Sequence, residues 1–183
     1  MSQASGREGR VAARAVRPAW VDDLPGLRAL IEYYAAKGIL LPRSEDDLRL
    51  SLGDFRVISA DDRVLGCAVL HYYTPRVAEV RSLAVAPGER GGGWGRRLVE
   101  ALLEEARSRD LEMVFALTYE VAFFERLGFT RIDRGEIPWK AWKDCWVCPK
   151  RDCCDETAVA YRLKPAREWR PLLPILGRPG LGR

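Results

Sequence analysis

A chain of 183 residues, 48% apolar and 31% charged, is long enough for one globular domain with a full-sized core. No apolar run approaches the ~20 residues of a membrane span, and the N-terminus lacks the apolar stretch of a secretory signal, so the expected location is the cytoplasm. The formal net charge of +4 resides in residues 164–183, where Lys164, Arg167, Arg170, Arg178 and Arg183 face only Glu168; the remainder is neutral overall, and no basic face for nucleic acid is expected.

Residues 1–12 mix Ser, Gly, Arg and Glu without periodicity and are expected to form a disordered leader ahead of a domain spanning 13–163. Residues 13–17 suit a first strand. Asp22 then caps a helix to Lys37, with Leu24, Leu27, Leu30, Ile31 and Tyr34 at helical spacing and Gly38 as its stop. Ser44-Glu45-Asp46-Asp47 starts a shorter helix in capping-box style. Residues 55–59 and 64–73 read as a hairpin turning at Ala60-Asp61-Asp62. A strand through Val80 and Leu83 to Val85 ends at Pro87-Gly88 and is followed by Arg90-Gly91-Gly92-Gly93-Trp94-Gly95. Leu98, Val99, Leu102, Leu103 and Ala106 then mark one stripe of a helix. Residues 113–118, 129–133 and 157–163 complete the strands, with a short helix at 121–127. Outside this pattern lie a Cys- and Trp-rich insertion at 139–155 and a Pro- and Arg-rich tail at 164–183.

The glycine-rich turn carries the first chemical statement. A helix N-terminus leaves N–H groups unpaired and bears partial positive charge, and glycines in front of it let a phosphate reach the backbone without meeting a Cβ. The turn lacks the Gly-Lys-Ser/Thr ending of a P-loop and the Gly-x-Gly-x-x-Gly spacing of a dinucleotide fold. An anion site for a pyrophosphate is the expectation.

Arg90-x-x-Gly93-x-Gly95, placed after a strand that carries Glu79 and ends in Leu83-Ala84-Val85, resembles the acetyl-CoA motif of the GNAT acetyltransferase superfamily. Phe123-Phe124-Glu125-Arg126-Leu127-Gly128-Phe129 is similar to the superfamily's FYEKLGF segment. The resemblance implies an α/β GNAT fold: a mixed, mostly antiparallel sheet of about seven strands with helices on both faces. It also implies acetyl-CoA as co-substrate, its pyrophosphate held by Arg90, the amides from Gly91 through Gly92, Gly93, Trp94 and Gly95, and Arg96. Trp94, where an aliphatic residue is usual, is expected to pack at the helix start. A splay between the fourth and fifth strands would free the N–H groups of Leu83, Ala84 and Val85 for the thioester oxygen.

Glu79 is the candidate general base, able to draw a proton through a water, with Arg81 and Leu83 on its face by the two-residue period; the other reading is a structural ion pair with Arg81. The tyrosine acid common in the superfamily is Phe124 here. Tyr119 is therefore the candidate acid, with Tyr72 and Tyr73 as substitutes, and His71, the only histidine, faces the cleft.

Residues 78–129 further resemble the short bacterial N-acetylglutamate synthases, and residues 34–43 are similar to their YA-K-ILL segment. That implies the α-amine of glutamate as acceptor, the first step of arginine biosynthesis, with Lys37, Arg43 and Arg81 as cations for its carboxylates. The alternatives are another small amine, a protein amine, or a non-catalytic acyl-CoA module. The partner set is a small molecule, with a homodimer left open and neither nucleic acid nor membrane. Cys145-x2-Cys148-x4-Cys153-Cys154 allows zinc, completed by Asp144, Asp152 or Asp155, or a redox-sensitive disulfide, or thiols that simply pack. Cys67 reads as an inert core residue.

Overall fold

The apolar stripe after the glycine turn organises the structure. Helix α3 (Trp94–Ser108) buries Leu98, Val99, Leu102, Leu103 and Ala106 against one face of a sheet, where they meet Ile58, Ala68, Leu70, Ala78, Val80 and Val114. The computed structural model describes residues 14–60 and 63–165. The expected leader at 1–12, the turn residues Asp61 and Asp62, and nearly all of the tail lie outside the described residues.

Seven strands run in the order β1-β2-β3-β4-β5-β7-β6: β1 (Val16–Pro18), β2 (Phe55–Ala60), β3 (Arg63–Thr74), β4 (Val77–Val85), β5 (Met113–Thr118), β6 (Thr130–Arg131) and β7 (Thr157–Arg162). Every neighbouring pair is antiparallel except β4 and β5. A parallel pair needs a crossover, and α3 supplies it. The opposite face is covered by α1 (Leu24–Ala35) and α2 (Glu45–Leu50), whose Leu27, Ile31, Tyr34 and Leu48 pack with Phe55, Val57, Cys67, Val69 and Ala84. The remaining helices are α4 (Val121–Glu125) and α5 (Pro138–Lys143). The expected mixed sheet with helices on both faces is therefore present. The sixth strand is shorter than expected, and the 139–155 insertion begins as a helix with Pro138 at its start.

One irregularity shapes the centre. Opposite β3, Val69 pairs with Arg81 and Cys67 with Ala84, so three steps on β4 match two on β3. The extra residue is a bulge at Ser82, whose φ of 50° lies in the left-handed region. A bulge reverses the alternation of faces. Leu83 accordingly packs on the α3 side with Ala78 and Val80, not beside Glu79 and Arg81 as the two-residue period predicts. The bulge also bends β4 away from β5. Their pairing stops after Val77–Met113, Ala78–Val114 and Glu79–Phe115, while both strands continue. The end of β4 is pinned instead by Tyr34 of α1, whose hydroxyl donates to the Val85 carbonyl at 2.5 Å.

Tyr34→Phe removes that donor and leaves the carbonyl beside a buried ring. It is expected to cost about 1–3 kcal/mol, seen as a lower urea midpoint with an unchanged slope.

Candidate active site

Two features meet where β4 and β5 part. The first is the turn into α3. Gly91 and Gly93 have φ of 85° and 77°, and a Cβ built on either meets nothing within 4 Å. Gly93 is the residue before the helix; no side chain caps α3, and its first turn carries no acidic residue. Arg96 and Arg97 stand there instead, a sign of charge that a helix N-terminus disfavours unless an anion is present. Arg90 is exposed and comes no closer than 3.9 Å to Glu120, while Arg96 pairs with Glu100 at 2.7 Å. The Trp94 indole folds back under the turn, so a Cβ on Gly92 would lie 2.9 Å from its Nε1, and it packs against the α3 core with Arg97 over its ring. The loop residues thus surround an open, cationic helix end, and Trp94 packs as expected.

The second feature is a polar cluster on the α1 side of the sheet. Glu79, only 4% exposed, receives hydrogen bonds from Arg81 Nε at 2.5 Å, Tyr73 Oη at 2.9 Å and Lys140 Nζ at 3.0 Å. Asp144 joins them, bonded to Tyr73 and Arg81 and 3.5 Å from Lys140. Burial lowers the Arg81 pKa, but the charge of Glu79 and the contacts with Tyr73 and Asp144 outweigh it and leave it raised. Burial, followed by the charge of Glu79, pushes the Tyr73 phenol up. Both Glu79 oxygens are therefore engaged, and the ion pair with Arg81 is made. His71 lies across the ladder from Glu79, edge-on to Tyr73, with Nε2 3.2 Å from Lys143 Nζ. Its pKa falls to about 4, through burial first and then the charges of Arg81 and Lys143, which outweigh Asp144 and Glu79.

Lys140 has no role in the sequence pattern above, and Asp144 enters it only as a possible zinc ligand. Their signal was visible: Pro138 can start a helix, and positions 140 and 144 then share one face. The neighbouring cysteines drew the attention to metal instead. Among the described residues no group of three or more His, Cys, Asp or Glu is placed to hold a metal ion, so the zinc expectation finds no support. All five thiols are free; Cys154 sits between Arg134 at 3.3 Å and Glu156 at 3.7 Å. Cys67 is buried and its pKa is pushed up to about 12 by burial, in keeping with an inert core thiol.

The other candidates are scattered. Tyr119, 41% exposed just beyond the end of β5, donates to Asp155 at 2.8 Å and accepts from Lys150 at 3.0 Å. The same Lys150 reaches the Gly38 carbonyl at 2.9 Å, tying the insertion to the loop after α1. Arg43 donates to Ser51 at 3.1 Å; its pKa is lowered by burial, and the charge of Arg81 adds to that effect. Lys37 lies away from this cluster, exposed, with Nζ 4.3 Å above the Tyr33 ring.

The acetyltransferase (GNAT) family matches residues 21–129. The chain belongs to that family. An uncharacterized N-acetyltransferase of Chlorobaculum tepidum is 38% identical over 148 residues, covering 81% of this chain and 96% of that protein. An amino-acid acetyltransferase of Mycobacterium tuberculosis is 39% identical over 121 residues, 64% of this chain and 69% of that protein. The structure of an N-acetylglutamate synthase from Neisseria gonorrhoeae complexed with coenzyme A and N-acetyl-glutamate superposes with a TM-score of 0.71 at 27% identity. That match covers 82% of this chain but only 35% of the longer synthase. The chain is thus an N-acetyltransferase built on the GNAT fold.

The half-buried His71 makes a pH dependence testable. With a folded pKa near 4 against 6.5 when exposed, the unfolded chain takes up the proton first as pH falls. The neutral imidazole's contribution is complete above the unfolded value and is lost as pH drops through the window between them. His71→Gln is expected to flatten the fall in melting temperature across that window, compared with the parent.

Proposed function

We propose that this acetyltransferase transfers the acetyl group of acetyl-CoA to the α-amine of an amino acid, L-glutamate first among the candidates. In arginine biosynthesis this would be the first step, carried out in the cytoplasm. The observation that carries the reading is the pair of cations, Arg81 and Lys140, gathered with Asp144 around Glu79 at the point where β4 and β5 separate. An acceptor bearing carboxylates suits two cations there, and a polyamine does not. The amino-acid acetyltransferase relative and the synthase complex support the same acceptor class.

In this reading the pyrophosphate rests on the α3 amides with Arg90 and Arg96 beside it, and the pantetheine arm enters the opening between β4 and β5. The unpaired edge of β4 from Leu83 to Val85 offers N–H groups to the thioester oxygen as it gains charge. Glu79 takes the amine proton through a water, which requires one of its present partners to move. The CoA thiolate leaves readily because thiol pKa values lie near ~8.5. Its proton comes from Tyr119 at the open end of β5 or from water. Arg81 holds an acceptor carboxylate, and Arg43 and Lys37 are the candidates for the other.

CoA release from acetyl-CoA across an amino-acid panel tests the whole reading, with glutamate expected to give the highest kcat/KM; no release with any amino acid overturns it. Glu79→Gln should lower kcat by roughly 10²-fold near neutral pH, with partial recovery at high pH as free amine becomes abundant. Arg81→Ala should instead raise the acceptor KM, more for acidic than for neutral amino acids.

Gly93→Val tests the donor site separately. It places a branched side chain where the pyrophosphate rests, and its φ of 77° adds strain. Acetyl-CoA affinity measured by calorimetry should fall by about tenfold or more, with the fold retained by circular dichroism.

A further inference from the structure

Asp144 has no place in the chemistry above, yet it sits between the two cations that surround Glu79. Its carboxylate takes Tyr73 Oη and Arg81 Nη2 as donors and lies 3.5 Å from Lys140 Nζ. We propose that Tyr73, Arg81 and Lys140 form a subsite for a carboxylate of the acceptor, and that Asp144 is its internal occupant, displaced when the acceptor binds. The proposal rests on the reading of the acceptor as an amino acid.

Charge supports the displacement. Glu79 and Asp144 together balance Arg81 and Lys140, so the filled pocket is neutral. With Asp144 swung out, two cations face one carboxylate, and the pocket holds the net positive charge that a carboxylate ligand needs. Hydrogen-bond count agrees. Tyr73 has one hydroxyl proton but contacts both Glu79 and Asp144, so only one can receive it at a time. The other oxygen then faces a lone pair, which makes the present arrangement frustrated.

The two carboxylates are not equally fixed. Glu79 is on a central strand and nearly fully buried, whereas Asp144 is 28% exposed and caps the C-terminal end of the six-residue α5. A carboxylate is disfavoured at a helix C-terminus, and the order Lys140 before Asp144 is the weaker orientation of an i,i+4 pair. The Asp144 carboxylate is therefore held mainly by Tyr73 and Arg81 of the sheet. Burial opposes its charge, but the Tyr73 hydrogen bond and the charges of Arg81 and Lys140 hold its carboxyl below the usual range, so it sits there ionised, as an incoming carboxylate would.

Glutarate, a dicarboxylate without an amine, serves as the probe, because it can fill the subsite without being acetylated. Calorimetry on the full chain is expected to show Asp144→Ala binding glutarate roughly tenfold more tightly than the parent, and Lys140→Ala added to it should abolish the gain. In CoA-release assays the same Asp144→Ala should lower the acceptor KM and leave the acetyl-CoA KM unchanged. Asp144→Asn, which keeps shape and loses charge, should move both readouts in the same direction and carries the test should the alanine variant melt early. Unchanged or weaker glutarate binding in folded Asp144→Ala and Asp144→Asn overturns the proposal. A raised acceptor KM also overturns it, since Asp144 would then recruit the amine. If the parent acetylates no amino acid but the glutarate gain appears, the acceptor reading fails while the carboxylate subsite stands; vigorous glutamate acetylation without the gain defeats the internal occupant alone.

Discussion

A single extra residue in β4 is the constraint on which the site depends. Without the bulge at Ser82, β4 could continue in register between β3 and β5, and its inner edge would be consumed by ladder hydrogen bonds. With it, the strand keeps its antiparallel partner and abandons the parallel one after Glu79. Two consequences follow from one geometric fact. The edge beyond Glu79 is left to bond something other than β5, and the faces swap, sending Leu83 and Val85 to the α3 core and Ala84 to the α1 core. A serine in the left-handed region carries a steric cost that a glycine would avoid. The structure holds it there because both cores pack against the residues that follow.

The helix side of the site depends on a different balance. α3 is anchored by five apolar residues, yet its N-terminus carries arginines and glycines where acidic residues would be more stabilising. Stability is drawn from the far side of the helix, and the near end is left open to anion binding. Tyr34 links this arrangement to the opposite layer by fixing the last carbonyl of β4, so the approach to the turn is set from both faces of the sheet.

Local signals made the frame legible in the sequence. The α3 stripe, the Ser44 capping box and the glycine turn each declare themselves within a few residues, and the structure shows the capping box reciprocally bonded at Ser44 and Asp47. Non-local features stayed hidden. Ser82 carries no turn signature, so strict alternation put Leu83 beside Glu79. β6 pairs with β7 over only two residues at the edge of the sheet, a length that no local pattern reports. The insertion is the instructive case. Cysteine spacing suggested metal, whereas the chemistry delivered to Glu79 comes from Lys140 and Asp144 in the turn of helix before the cysteines.

That division separates what is general in the site from what is particular. In the proposed reading the donor side is made of backbone: amides at α3 and the freed edge of β4, fixed by two packed cores. The acceptor side is made of side chains, and half of its charges arrive on a short helix outside those cores. α5 packs through Trp139, with the buried Ile137 at its start, against Val77, Met113 and Phe115, and reaches across the opening with Lys140 at Glu79. Beyond the helix, Lys150 bridges the Gly38 carbonyl and the Tyr119 hydroxyl. The Lys150 contacts are exposed and individually weak, whereas the Lys140–Glu79 pair is largely buried. In the proposed reading, a substitution in α5 changes the charges around Glu79 without touching the strand and helix assigned to the pyrophosphate, so selection of the acceptor is separable from binding of the acetyl donor.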